Sequence, residues 1–178
     1  MIKKFKKISE EVLHQNPWYA YKHDVFEFPN GKQGDYFYLE SPGASMTVPV
    51  LPDGRIVLIR QYRYLVDKFS LEFPAGGIKS GQTARQTAAI ELKEETGYDA
   101  EELISVAEFE PNNGFMKDKM HVFLAKLSTQ EPGEAKPEAT EEIEVSIRYP
   151  DEIDTMIQAG DIWDGETLAA WALVKHRL

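Results

Sequence analysis

Three glutamates, Glu91, Glu94 and Glu95, stand at a spacing that could hold a divalent metal ion. At about 100° per residue, positions i, i+3 and i+4 fall on one face of a helix. Carboxylate oxygens clustered in this way suit a hard cation such as Mg²⁺ or Mn²⁺. A solvated acidic helix face has the same pattern, so the spacing alone leaves both interpretations open.

The residues around these glutamates predict the helix and the loop that position them. Thr83 is a favourable N-cap, Gln86 three residues later can complete a capping box, and Gly97 stands where a glycine ends a helix. An apolar, strand-like run and the loop PAGG at 74–77 precede this helix. Such a loop can bring backbone carbonyls close to the carboxylates, which favours a metal site over a solvated face.

The stretch from Gly76 to Tyr98 resembles the signature of the Nudix hydrolases, G-x5-E-x7-R-E-U-x-E-E-x-G-U, where U is a bulky aliphatic or aromatic residue. Both end residues, the three glutamates and Gly97 match it. Gln82 and Ile90 stand where the family has a glutamate and an arginine. Because exchange of a buried ion pair for neutral partners can cost little, we interpret the two changes as replacement of one pair.

The resemblance covers nearly the whole chain and implies a fold, a metal and a reaction. The fold is of the α+β class, an α/β/α sandwich with a mixed sheet, a catalytic loop-helix-loop and an N-terminal strand extension. Glu91, Glu94, Glu95 and the carbonyl of Ala75 would bind Mg²⁺ or Mn²⁺. The RQYR segment before the signature resembles pyrophosphatases of ADP-ribose and nucleoside diphosphate sugars. Their reaction yields a nucleoside monophosphate and a sugar phosphate.

Residues outside the signature are candidates to contact the substrate. Arg60 and Arg63 lie near the end of a predicted strand, and arginine forks match phosphate oxygens. Lys79 is a third candidate for the phosphates. The resemblance also implies a general base on the loop before the last strand, where the candidates are Glu138, Glu141 and Glu142. A base within the signature, Glu91 or Glu94, is the alternative.

Two other functions are compatible with the sequence. One is hydrolysis of other nucleotides, such as triphosphates or dinucleoside polyphosphates, and the RQYR segment favours the sugar pyrophosphatase over it. The other is a regulatory protein with the Nudix fold that binds a nucleotide without hydrolysing it. Gln82 and Ile90 favour that second alternative, whereas the intact glutamates oppose it.

Two domains are expected, an N-terminal strand extension at 1–43 and the Nudix domain at 44–178. Aromatic residues crowd the predicted hairpin at 19–39, where they could pack on the protein's own core or form a dimer contact. The resemblance favours a homodimer through this extension. Lys3 to Lys7 is expected to be a solvated basic arm. Strands are predicted near 45–51, 55–62, 103–109, 120–127 and 143–149, and helices from Pro150 and from about Glu166.

The composition excludes several other classes of protein. The 178 residues include 30 acidic and 20 basic side chains, and a net charge of −10 disfavours nucleic acid as a partner. No cysteine is present, which excludes disulfides and thiolate chemistry. No apolar run is long enough to span a membrane and no secretory signal is recognised, so no membrane association and a cytoplasmic location are expected.

Overall fold

The computed structural model describes residues 2–137 and 141–178, which form two compact units. The first unit comprises the chain up to Gly43 together with Glu110–Lys119. The second comprises Ala44–Phe109 and Met120–Leu178. The segment 110–119, which the sequence division assigned to the second domain, therefore belongs to the first unit. Among the described residues, no helix is long and apolar enough to cross a membrane.

The described residues contain strands and helices in the following order. The strands are β1 (Lys6–Gln15), β2 (Ala20–Glu27), β3 (Gln33–Glu40), β4 (Ala44–Val50), β5 (Ile56–Arg63), β6 (Lys68–Glu72), β7 (Ala75–Gly77), β8 (Ala100–Phe109), β9 (Met116–Lys117), β10 (Met120–Leu127) and β11 (Ile143–Arg148). The α-helices are α1 (Ala84–Thr96), α2 (Pro150–Ala159) and α3 (Gly165–Val174). The predicted strands and helices are present, and β6 corresponds to the apolar, strand-like run before the loop PAGG. The strands β1, β7 and β9 were not predicted.

In the first unit, β1, β2 and β3 form an antiparallel sheet, and β9 pairs in parallel with β3. Lys3 to Lys7 is exposed, as expected for a solvated arm, and its last two residues belong to β1, which begins at Lys6. Lys7 forms ion pairs of 2.6 Å with both Glu10 and Asp24. Opposite charges on neighbouring strands thus stabilise a strand whose residues are all exposed.

The aromatic residues of this unit divide between burial and exposure. Tyr38 is buried, and its hydroxyl lies 3.2 Å from a carboxylate oxygen of Glu10. Trp18, Tyr36 and Phe37 are exposed, Trp18 to 75%. Packing within the unit therefore accounts for part of the aromatic cluster and leaves the rest on its surface.

In the second unit, the sheet has the order β11-β5-β4-β10-β8, with β6 beside β5 and β7 beside β4. The pair β4–β10 is parallel and the other pairs are antiparallel, so the sheet is mixed. Successive residues of β5 point to opposite faces. Leu58 packs with Ile153 of α2 and Trp171 of α3, whereas Val57 packs with Leu92 of α1. Helices therefore cover both faces, and the predicted α/β/α sandwich is confirmed.

The helix that carries the three glutamates has the predicted caps. The Thr83 hydroxyl accepts a hydrogen bond from the Gln86 N–H, and the Gln86 side chain accepts one from the Thr83 N–H at 2.9 Å. Gly97 ends the helix with φ of 76°, a left-handed conformation that glycine adopts without strain. Pro150 begins α2 and Gly160 ends it, also as predicted.

Candidate active site

Hydrogen bonds from β4 fix both α1 and the loop that precedes it. The Ser45 hydroxyl donates to the Ala84 carbonyl at 2.8 Å, and the Thr47 hydroxyl donates to the Ala88 carbonyl at 3.3 Å. The Thr47 N–H donates to the Pro74 carbonyl at 2.9 Å. The central strand thus holds the N-terminal half of the helix and the start of β7 together, which places the glutamates next to the glycine loop.

Glu95 is the most deeply buried of the three glutamates, at 3% exposure. Its carboxylate accepts a hydrogen bond of 3.0 Å from the Ala75 N–H. Burial raises the pKa of Glu95 to about 9, with further contributions from the negative charges of Glu91 and Glu141, and Arg63 opposes the shift. Without a cation, this carboxyl group therefore holds a proton at neutral pH. A nearby divalent cation would supply the missing positive charge.

Gly76 lies against the carboxylate of Glu91. A Cβ at this position would overlap the Glu91 carboxyl group and lie 2.7 Å from its Cγ, so only glycine allows this approach. Gly77, the next residue, has no atom within 4 Å of the corresponding point. The first glycine of the signature thus has a local steric role: it lets the backbone approach Glu91, a buried candidate ligand of the metal.

Replacing Gly76 with alanine should displace the Glu91 carboxylate and lower kcat/KM by about tenfold or more, because misplaced catalytic groups reduce transition-state stabilisation. Gly77→Ala is the matched control, since its methyl group would enter open space. Steady-state kinetics and thermal unfolding of both variants test this expectation. Equal activity of the two variants would contradict a specific role for the Gly76 contact.

The residues present fit a divalent ion by their chemistry and burial. Glu91 and Glu95 offer oxygen ligands inside the protein, where unneutralised carboxylates are costly. Glu94 is half-buried and lines a cavity of about 350 Å³ with Lys93 and residues of the loop after β10. Within residues 2–137 and 141–178, no three histidine or acidic side chains are gathered closely enough to enclose a metal ion as they stand.

The loop before β11 is fixed to the C-terminal end of α1. The Gly133 N–H donates to the Gly97 carbonyl at 2.9 Å, and the Lys136 N–H donates to the Glu94 carbonyl at 2.8 Å. A Cβ on Gly97 would overlap the Gly133 carbonyl, so this contact also depends on a glycine. The signature helix therefore anchors the segment that leads to the candidate general bases.

Two of the three candidate bases lie among the described residues, and their surroundings differ. Glu141 is half-buried, and its charge contributes to the raised pKa of Glu95. Glu142 is exposed. Glu138 lies outside the described residues. Of the two that are described, Glu141 is the one whose charge acts on the buried Glu95.

The two candidate phosphate-binding arginines lie on opposite faces of β5. Arg60 lies over the ring of Phe69 at 4.1 Å and pairs with exposed Glu144 at 3.2 Å. Arg63 instead pairs with Glu72, and its charge opposes the pKa shift of Glu95. The structure thus does not bring the arginines together, because residues three apart on a strand point in opposite directions. Lys79 is exposed in the turn between β7 and α1.

Sequence reasoning did not identify Glu72 as part of the site. Its side chain is only 2% exposed and lies at the end of β6. The available signal was a single carboxylate in the otherwise apolar run LEFPA, since charged residues are rarely buried without a partner. Its partner, nine positions earlier, is brought to it by the pairing of β5 with β6.

Residues 41–170 match the NUDIX domain, so the chain belongs to the Nudix family and is a Nudix pyrophosphohydrolase. Enzymes of this family generally use divalent metal ions. The chain is 31% identical over 150 residues to the ADP-ribose pyrophosphatase of Bacillus subtilis (strain 168), covering 84% of this chain and 80% of that protein. It is also 31% identical over 147 residues to the methanol dehydrogenase activator of Bacillus methanolicus, covering 83% and 80%.

The fold has a counterpart among solved structures. A crystal structure of ADP compounds hydrolase superposes with a TM-score of 0.85 at 23% sequence identity, covering 100% of this chain and 96% of that one. This likeness confirms the Nudix fold expected from the sequence.

Proposed function

We propose that this protein hydrolyses the pyrophosphate bond of ADP-ribose or another nucleoside diphosphate sugar in a reaction that requires Mg²⁺ or Mn²⁺. The observation that carries this proposal is the buried pair of Glu95, which is bonded to the Ala75 N–H, and Glu91, which lies against Gly76. The relatives of the chain include an ADP-ribose pyrophosphatase. Another relative with that name is the ADP-ribose pyrophosphatase of Mycobacterium tuberculosis (strain ATCC 25618 / H37Rv), which is 32% identical over 139 residues, covering 78% of this chain and 66% of that protein. The products would be a nucleoside monophosphate and a sugar phosphate.

The proposed ligands of the metal are Glu91, Glu94, Glu95 and the carbonyl oxygen of Ala75. Bound there, a divalent ion would neutralise charge on the pyrophosphate and acidify a water molecule. The Ala75 N–H would keep the Glu95 carboxylate oriented through its 3.0 Å hydrogen bond. Glu141 would accept the proton of the attacking water as the bond between phosphorus and the bridging oxygen breaks.

Arg63 is the proposed contact for the substrate phosphates, because it lies on the face of β5 that α1 covers. Its side chain is 49% exposed, so substrate can reach it, and its charge acts on Glu95. A positive group is needed because the protein carries a net charge of −10 and would otherwise repel an anionic substrate. Arg60 and Lys79 would contribute less, since Arg60 is engaged on the opposite face of β5.

The test is phosphate release from a panel of ADP-ribose, nucleoside diphosphate sugars and nucleoside triphosphates, coupled to a phosphatase, with Mg²⁺ and with EDTA. We expect metal-dependent cleavage of one or more diphosphate sugars and little cleavage of triphosphates. Preferred cleavage of triphosphates would overturn the substrate assignment. A folded protein that binds nucleotide but hydrolyses nothing would instead be a regulator.

We also expect a homodimer in which the first unit supplies the contact. Trp18, Tyr36 and Phe37 are exposed there, and aromatic residues are enriched at protein interfaces. Multi-angle light scattering should give twice the chain mass of 20.3 kDa. Replacing Trp18 and Phe37 with serine should shift the protein towards monomer, and a parent that is already monomeric would exclude this contact.

The two departures from the Nudix signature should be nearly neutral for turnover. The Gln82 side chain accepts a hydrogen bond of 3.0 Å from the Thr87 hydroxyl, so this position already has a neutral partner. Restoring the family pair with Gln82→Glu and Ile90→Arg should leave kcat within several-fold of the parent. A rise of about a hundredfold, nearly 3 kcal/mol of barrier, would show instead that the present site is impaired.

A further inference from the structure

The contact between Arg63 and Glu72 is the best-defined ion pair beside the proposed site. The Nε of Arg63 donates to one oxygen of Glu72 at 2.7 Å, and the Nη2 donates to the other. The side-chain amide of Gln61 donates to the same carboxylate at 3.2 Å. Two parallel hydrogen bonds define the plane of the guanidinium as well as its position.

The two residues of this pair differ in burial. The buried carboxylate is the fixed partner, and the more exposed guanidinium is the group that it orients. Glu72 is 2% exposed, whereas the Arg63 side chain is 49% exposed. Burying a carboxylate is costly, and an apolar residue at the end of a strand would be at least as favourable for folding. The two hydrogen bonds of this carboxylate hold a guanidinium whose side chain remains half exposed.

Several acidic side chains act on Arg63. Asp164 and Glu166 act on it electrostatically in addition to Glu72, and it acts in turn on Glu95. A flexible arginine among several carboxylates would have competing partners. The two hydrogen bonds to Glu72 use one edge of the guanidinium, and the N–H groups of the other edge can then point in one defined direction.

We propose that Glu72 is a positioning residue that orients Arg63 towards the phosphates of the substrate, an inference that rests on the proposed pyrophosphatase function. Glu72 does not touch the substrate itself. It holds the arginine fork before substrate arrives, so that no reorientation is needed as charge develops on the phosphates. The role predicts that Glu72 affects turnover only through Arg63.

The test is a double-mutant cycle on purified protein with Mg²⁺ and the best substrate of the panel. Glu72→Gln should lower kcat by about tenfold or more while KM changes less, because the lost orientation matters most in the transition state. Arg63→Ala should lower kcat at least as much. In the Arg63→Ala background, adding Glu72→Gln should change kcat by less than about threefold, since residues that act as a unit are not additive.

Glu144→Gln is the matched control. It removes the carboxylate partner of Arg60, the other arginine of β5, and should leave kcat within about twofold. Thermal unfolding of each variant separates lost orientation from lost structure. If Arg63→Ala is too unstable, Arg63→Lys keeps the charge without the fork and serves in the same cycle. If Glu72→Gln is too unstable, Glu72→Asp keeps the charge but withdraws it by one methylene group.

Two results would overturn the proposal. One is an unchanged kcat in Glu72→Gln, and the other is an equal loss from Glu72→Gln in the parent and in the Arg63 variant. Failure of the parent protein to hydrolyse any diphosphate sugar would instead reject the proposed function. The two failures are therefore distinguishable in one set of assays.

Discussion

Replacing Glu95 with glutamine is expected to lower kcat/KM by about a thousandfold, roughly 4 kcal/mol of transition-state stabilisation. The amide keeps the shape of the side chain and can still accept the hydrogen bond from the Ala75 N–H. What it removes is the negative charge that a divalent ion would require. The loss should therefore appear in the metal dependence, with a higher concentration of Mg²⁺ needed for half-maximal activity.

The same substitution should stabilise the metal-free protein. The folded-state pKa of Glu95 is raised from 4.5 to about 9, so the folded chain retains a proton that the unfolded chain loses above about pH 4.5. The free energy of unfolding of the parent therefore falls as pH rises from about 4.5 to 9. Glu95→Gln removes this penalty, which amounts to about 3 kcal/mol at pH 7.

Urea unfolding in EDTA at pH 4.5, 7 and 8.5 measures the stability difference between Glu95→Gln and the parent. The difference should be small at pH 4.5 and grow with pH. Glu101→Gln is the control, because this residue is exposed at the surface of β8. A variant that is inactive and also less stable at pH 7 would show that Glu95 is a structural residue rather than a strained metal ligand.

The sequence was sufficient to predict the signature helix because its determinants are local. Thr83 and Gln86 need only three residues of separation to form a capping box, and Gly97 needs only its own backbone conformation. The apolar run IVLI at the start of β5 likewise predicts a strand from its own composition. These features are the same whatever the rest of the chain does.

The parts that the sequence did not predict depend on distant partners. β7 is three residues long and glycine-rich, so only its pairing with β4 makes it a strand. β1 has no buried residue, so its sequence lacks the alternation of apolar and polar residues by which a strand is predicted. The ion pair of Arg63 with Glu72 follows from the register of β5 and β6, which the sequence does not show. From the charge pattern alone, only a phosphate of the substrate was predicted as a partner of Arg63. Glu91 and Glu95 would have the same spacing on a solvated helix face. The spacing therefore does not predict their burial, which depends on how α1 packs in the fold.

Replacing Glu141 with glutamine is expected to lower kcat by about a hundredfold or more, the usual contribution of a general base. Glu141 is half-buried on the loop that α1 anchors, and its charge acts on Glu95. Glutamine keeps its size but accepts no proton from water. KM for the substrate should change little, because the lost function belongs to the chemical step.

Glu142→Gln is the matched control for Glu141, since the neighbouring side chain is exposed, and it should retain kcat within about threefold. Glu138→Gln belongs in the same assay, because Glu138 is the third candidate base from the sequence. A loss confined to Glu141→Gln would assign the base to the loop before β11. Full activity of all three loop variants would place the base within the signature, where Glu91 and Glu94 are the carboxylates in addition to Glu95. Glu141 would then serve only to raise the pKa of Glu95, and its replacement should stabilise the metal-free protein instead of slowing the reaction.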